Sequence, residues 1–163
     1  CGNKYVGTNL NFPLAQERED MILVLEKNYG DRFMSYGLGR AGGIIHPEVE
    51  ANVYNYSKIA INQNNFDLTE YTSDRLWRIM ASGTFCLTKY FPGAETIFRK
   101  ELDLDWFNDF SEMKDLIDYY LSNEAERKSI AEMGCLTVRE NHSWEARVKE
   151  IIGIVEKVPT FDR

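Results

Sequence analysis

The stretch "EYTSDRLWR", residues 70–78, gathers carboxylates, hydroxyls and two guanidiniums at what reads as the start of a helix. A helix start leaves backbone N–H groups without internal partners and carries partial positive charge, so it either caps itself or takes an anion. Thr72 or Ser73 is the natural N-cap, with the N–H groups there as candidate diphosphate contacts. Asp74 opposes an anion by placing a negative charge where it would sit, and Arg75 is expected to offset it. Leu76, Ile79 and Met80 recur at helical spacing and should face a sheet, which leaves Arg75, Arg78 and Ser82 on another side. On periodicity alone an ordinary capped helix with solvated arginines stays open beside the anion site.

A second candidate is "GLGRAGG", in which Gly37, Gly39 and Gly42 match G-x-G-x-x-G after a strand-like run. In dinucleotide sites the helix begins inside the motif and a ribose-binding acid ends the next strand. Here Ile44, Ile45, His46 and Pro47 intervene before any helix, and "KIAINQN" ends in amides, so an NAD-type site is the weakest reading. A surface loop, or an open loop whose backbone and apolar Ile44 and Ile45 receive a flat base, fits better. His46 and His142 lack a nucleophile or carboxylate at telling spacing and read as caps or packed surface groups, so no catalytic residue is assigned. The acids of "ELDLDW" read as a strand end or solvated face, and no metal site is expected.

The elements that must position these residues alternate. "KYVGTN" (4–9), "RFMSYG" (32–37), "KIAINQN" (58–64), "TFCLT" (84–88) and "LDLDWF" (102–107) read as strands. Between and after them lie helices opened by Pro13 and Pro47, stopped by Gly30 and Gly83, and capped by Ser111, by Asn123 with Glu126, and by Ser143. Tyr119, Tyr120 and Leu121 read as a core stripe and Cys86 as a small buried hydrophobe. The expected fold is a single Rossmann-like α/β domain, a doubly wound parallel sheet with helices on both faces, over residues 1–157, with 158–163 as a tail. In such sheets ligands sit beyond the carboxyl ends of the strands.

Composition bounds the function. The chain has 163 residues and a net charge of −7, which argues against general affinity for nucleic acid or an anionic membrane. Three cysteines without CxxC spacing argue against a disulfide framework or zinc site and suggest a reducing, cytoplasmic setting. No apolar run approaches the ~20 residues that span a bilayer.

Several motifs, in order, carry a resemblance: "VGTN…R" (6–18), "YSKIAIN", "SDRLWRIMASGTFCLT", "YLSNEAERKSIAEMG" and "NHSWEAR". Together they resemble the C-terminal half of GT-B glycosyltransferases, closest to the spore-maturation (CgeB-like) group, over residues 5–156. The resemblance implies a domain that binds a nucleotide-diphosphate sugar as donor substrate, with no cofactor and no required metal. It also implies an acceptor-binding half ahead of this one, absent from this sequence, so that the chain alone is not expected to transfer sugar. By the same resemblance Gly7 and Thr8 lie in the first strand-to-helix loop against the donor, Arg18 opens the following helix, and Ile44 and Ile45 fall where the base is contacted. Glu70 stands eight residues before Arg78, the separation of the two acids in the family's E-x7-E donor motif. Arg78 replaces the second acid and cannot accept hydrogen bonds from ribose hydroxyls, which leaves a phosphate contact or base stacking as its roles. A non-catalytic nucleotide-binding or scaffold domain is the alternative.

Overall fold

Three parallel strands organise the computed structural model, which describes residues 2–7 and 12–157: β1 (Ile59–Asn62), β2 (Phe85–Lys89) and β3 (Asp105–Phe107), in the order β1-β2-β3. Ile59 lies opposite Phe85, Asn62 opposite Thr88, and Leu87 opposite Asp105. The helices are α1 (Ala15–Tyr29), α2 (Pro47–Tyr56), α3 (Asp74–Ala81), α4 (Ala94–Ile97), α5 (Phe110–Ser122), α6 (Glu124–Asn141) and α7 (Trp144–Val155).

β2 shows why the sheet is wound on both faces. Its side chains alternate, as strand geometry requires. Phe85 and Leu87 join Met21, Ile22 and Leu25 of α1 and Met113, Ile117 and Tyr120 of α5 in one core. Cys86 points the other way, into a second core with Tyr54 of α2, Leu76, Ile79 and Met80 of α3, and Phe98. The long α6 serves both, giving Ile130 and Ala131 to the first and Val138 to the second. The doubly wound parallel architecture is therefore as expected, and the three α3 residues read as sheet-facing are buried. Burial also pushes the Cys86 thiol up to about 12, so it stays a neutral packing group.

Other expectations need correction. Five strands were expected and three form among the described residues. The described part of "KYVGTN" is not a strand: its backbone bonds to the neighbouring segment are Gly2 N–H to the Tyr36 carbonyl (2.7 Å) and Lys4 N–H to the Leu38 carbonyl (2.9 Å), while the Leu38 N–H goes to the Asn3 side chain instead of completing a ladder. In the "RFMSYG" run, residues 33–36 lack the ladder to β1 that would make them a strand; a cavity lies between the two segments. The first helix begins two residues after Pro13, at Ala15. Asp109, not Ser111, caps α5, its carboxylate accepting from Ser111 N–H and Glu112 N–H. Asn123 occupies the α6 cap position but its amide donates backward to the Tyr119 carbonyl, while Glu126 accepts from the Tyr119 hydroxyl, so no capping box forms. Ser143 does cap α7, accepting from Ala146 N–H. Tyr120 is core but Tyr119 is half exposed.

Two acids of "ELDLDW", Asp103 and Asp105, are buried struts rather than a solvated face, while Glu101 is exposed. Asp103 accepts from Arg99 and from the Thr137 hydroxyl, and Asp105 accepts from the Tyr120 hydroxyl. Among the described residues no acidic, histidine and cysteine side chains cluster as metal ligands, and no helix is long and apolar enough to cross a membrane.

Of the described glycines, Gly134 of α6 makes the closest approach to backbone, at the turn before β3. A Cβ on Gly134 would collide with the Asp103 carbonyl oxygen and stand 3.1 Å from Met80 Cε. Backbone cannot rotate away as a side chain could, so the collision should outweigh the helix propensity that alanine brings, about 1 kcal/mol. Gly134→Ala should lower stability by about 1–3 kcal/mol in urea titrations; a stabilised variant would show that α6 can lift off this turn freely.

Candidate functional site

The carboxyl end of β1 continues into three amides, Asn62, Gln63 and Asn64, all buried. Burying amides is unfavourable unless they are hydrogen-bonded, and each is used to fix a neighbour. Asn62 donates to Thr88 Oγ1 on β2 and accepts from Arg75 Nη1 (3.3 Å). Gln63 donates from its side chain to Glu17 Oε2 on α1, and its backbone carbonyl accepts from Arg75 Nη1 (3.2 Å), while its buried Oε1 has no partner among the described residues. Asn64 donates to the Tyr71 carbonyl and accepts from Ser73 N–H (3.1 Å), with Thr72 Oγ1 at 3.4 Å from the same oxygen. The start of α3 is thus capped from β1. Ser73 holds the N-cap position without using its side chain, and its buried Oγ has no partner among the described residues.

Two guanidiniums converge here. Arg18 on α1 is buried, donates from Nη1 to Asn65 Oδ1 (2.9 Å) and from Nη2 to the Asn3 carbonyl, and lies over the Tyr5 ring. A Cβ on Gly2 would stand 2.9 Å from Arg75 Nη2 and 3.4 Å from Arg18 Nη1, so both cations reach the same backbone glycine. Among the described residues neither has a carboxylate within ion-pair distance. Burial, then the neighbouring Arg75 and Arg40, pulls Arg18 down to about 10; burial is also the main cause of the lowered Arg75. Both are cations held in a poorly solvated place beside another cation.

Arg40, inside the glycine-rich loop, was not singled out from sequence. Its guanidinium is buried and forms a two-pronged pair with Glu19 (3.0 and 2.8 Å), which also meets Lys4. Lys89 at the end of β2 bonds Glu17 (2.8 Å), the acid that holds Gln63. The one signal that could have flagged these partners is the amide run "NQNN", since amides at a strand end must be answered by nearby polar groups.

The remaining expected residues spread outward. Arg78 donates to Glu50 Oε2 (2.5 Å) and Asp74 Oδ2 (3.0 Å), so Arg78 rather than Arg75 answers Asp74. Glu70 has a left-handed φ of 57°, donates its N–H to the Pro92 carbonyl, and accepts from Thr96 Oγ1 (3.1 Å); it lines a different cleft from Arg18 and Arg75. Gly7 is exposed in a turn with a φ of 80°, and Thr8 lies outside the described residues. Ile44 and Ile45 lie in the non-helical approach to α2, Ile44 largely exposed. The loop glycines serve packing: a Cβ on Gly42 would stand 2.5 Å from the Tyr36 ring, and one on Gly37 2.6 Å from Gly2. His142 stacks on Trp77, 4.6 Å between ring centroids, and contacts Arg147, consistent with a packed surface group.

Asn64→Ala would strip the cap from Ser73 N–H and the donor from the Tyr71 carbonyl at once. With each unsatisfied group costing about 1–3 kcal/mol, the variant should lose roughly 2 kcal/mol or more in chemical denaturation. A loss under about 0.5 kcal/mol would mean that α3 starts without help from β1.

Residues 17–153 match the family model described as glycosyl transferase-like. No curated protein matches. Three solved structures share the fold. HepE of Anabaena, crystallised with UDP and glucose, is 9% identical, with a TM-score of 0.60, over 71% of this chain and 31% of its own. Sucrose-phosphate synthase of Thermosynechococcus elongatus is 20% identical, with a TM-score of 0.64, over 88% and 34%. A glycosyltransferase of Rickettsia africae is 19% identical, with a TM-score of 0.59, over 71% and 30%. The chain spans about a third of the length of each of these proteins. With most of its length inside the family model and a doubly wound sheet shared with GT-B enzymes, the chain belongs to the glycosyl transferase-like family.

Proposed function

We propose that residues 1–157 form the donor-binding half of a glycosyltransferase of the CgeB-like kind, taking a nucleotide-diphosphate sugar and working with an acceptor-binding half that precedes it. The observation that carries this reading is the pair Arg18 and Arg75: one buried and one half-buried guanidinium at the carboxyl end of β1, converging on Gly2 without an ion-paired carboxylate among the described residues. A cation kept out of water and out of ion pairs is unfavourable until an anion arrives, and a diphosphate supplies that charge with acceptor oxygens for both. HepE, which shares the fold, was crystallised with UDP and glucose, and this makes UDP the first probe.

In this reading the Gly7–Thr8 loop and Ile44 with Ile45 flank the nucleoside and Arg18 and Arg75 hold the diphosphate beside Thr72 and Ser73. Glu70, which lines the other cleft and accepts from Thr96, would meet sugar hydroxyls only where the donor extends across to that cleft. Fixed cations at the diphosphate would stabilise the negative charge that grows on it as its bond to the anomeric carbon breaks. Arg78 has a structural part through Glu50 and Asp74. The arginine at position 78, where the family motif has its second acid, is what favours the second reading, a domain that binds nucleotide without transferring sugar.

Calorimetric titration with UDP, other nucleoside diphosphates and their sugars tests the proposal. Losing one charge-assisted contact costs about 1.5–3 kcal/mol, so Arg75→Ala should weaken the preferred nucleoside diphosphate roughly ten- to a hundredfold. Arg78→Ala should change it less than about twofold, as expected of an exposed surface pair. Glu70→Gln should weaken the nucleotide-sugar more than the bare diphosphate. Unchanged affinity in Arg75→Ala would remove the start of α3 from the site.

A further inference from the structure

A nucleoside diphosphate carries its ribose between base and phosphates, so the places of the two ends decide which side chains its hydroxyls meet. With the base against Ile44 and Ile45 and the diphosphate on Arg75, the ribose lies between the approach to α2 and the first turn of α3. The two helices join there. Tyr54 of α2 packs with Leu76 and Ile79 of α3, and Glu50, one turn earlier on α2, pairs with Arg78 of α3.

Two donors hold the Glu50 carboxylate. The Tyr54 hydroxyl donates to Oε1 (2.8 Å) and Arg78 Nη1 donates to Oε2 (2.5 Å). Tyr54 is buried and lines the same cavity as Arg75, so Glu50 stands one hydrogen bond behind that wall. Burial, then the bond to Glu50, pushes the Tyr54 hydroxyl up, which keeps it a donor. The Glu50 side chain is 13% exposed and Arg78 beside it 49%, so the carboxylate can be met from the surface between the helices. The other acids of this junction are held less well: Asp74 is largely exposed with Arg78 as its ion partner, and Glu48 is largely exposed beside His46.

A carboxylate offers about four acceptor positions, and these two donors take one on each oxygen. The remaining positions accept and do not donate. A ribose presents two adjacent hydroxyls that donate side by side, and hydrogen bonds to a charged acceptor are the stronger kind. The charge of Glu50 is answered by Arg78 in a pair that water partly screens, so it leaves the diphosphate to Arg18 and Arg75.

We propose that Glu50 reads the ribose of the donor, accepting from its 2′ and 3′ hydroxyls, so that the site takes sugars carried on ribonucleoside diphosphates in preference to 2′-deoxyribonucleoside diphosphates such as dTDP. The inference rests on the donor-site reading. It supplies from α2 an acceptor that an arginine at position 78 cannot be. Tyr54 acts through Glu50 and is a positioning residue.

The test is calorimetric titration of the 163-residue chain with UDP, GDP and ADP, each beside its 2′-deoxy counterpart. The preferred nucleotide should bind about tenfold or more tighter in its ribo form. Glu50→Gln keeps the size and an acceptor for Tyr54, and should bring that ratio below about threefold by weakening the ribo form. Tyr54→Phe should lower the ratio in the same sense, and Arg75→Ala should weaken both forms alike. Equal binding of the two forms by the unsubstituted chain, or a preference that survives Glu50→Gln, would overturn the inference while Arg75-dependent binding kept the donor site. The first of these needs no variant, so it decides even where Glu50→Gln lowers stability. Absence of binding by every nucleoside diphosphate, or binding indifferent to Arg75→Ala, would instead remove the donor site and this inference with it.

Discussion

Three buried amides at the end of β1 are the constraint on which the rest of the site depends. Asn62, Gln63 and Asn64 carry no charge of their own, yet between them they fix a hydroxyl on β2, an acid on α1, the start of α3 and the guanidinium of Arg75. Apolar residues there would leave the Thr88 hydroxyl, Glu17 and the Ser73 N–H without these partners, and Arg75 with the backbone carbonyl of residue 63 alone. Charged residues would either neutralise Arg75 or repel it. Amides do the one thing that leaves a cation both positioned and unneutralised, because a neutral oxygen accepts from a guanidinium without cancelling its charge.

That arrangement sets the electrostatics against the composition. The chain is acidic overall, at −7, but most of the acids nearest the site are already engaged: Glu19 by Arg40 and Lys4, Glu17 by Lys89, and Glu50 and Asp74 by Arg78. Net charge therefore says little about the local field, which is set by the two arginines left out of the pairing. Burial strengthens that field, since charges screened by less water act over longer distances.

The parts of the fold legible in the sequence are those where one periodicity decides. Leu76, Ile79 and Met80 face inward as their spacing requires, and the contiguous apolar residues of β1 and β2 form a parallel pair, buried along β2 but only half-buried at Ile59 and Ile61 of β1. Caps were less legible: Asp109 and Ser111 are both good N-caps, and the choice rests on where the chain leaves β3 rather than on residue type. Least legible were partners distant in sequence. Nothing local told that Arg78 would find Glu50, twenty-eight residues earlier, or that Arg40 would find Glu19, so the role expected of Arg75 in balancing Asp74 fell to its neighbour. The "KYVGTN" and "RFMSYG" runs have strand composition, but a strand exists only through its ladder, and composition does not supply the partner.

Gly2 connects the open sheet edge to the cation pair. Its N–H bonds the Tyr36 carbonyl, its carbonyl accepts from Arg40 Nε, and its Cα lies against the ends of Arg75 and Arg18. Any side chain at this position would enter the space the guanidiniums occupy. The register of the backbone along residues 36–38 therefore fixes how near the two cations come to the chain and to each other. A backbone laid firmly along the sheet would hold Gly2, and through it both arginines, to a narrower range of positions, and narrowing that range lowers the ordering cost that an incoming anion must overcome. The geometry of the sheet edge and the affinity of the cation pair are in this sense one property, read at two ends of the same short segment.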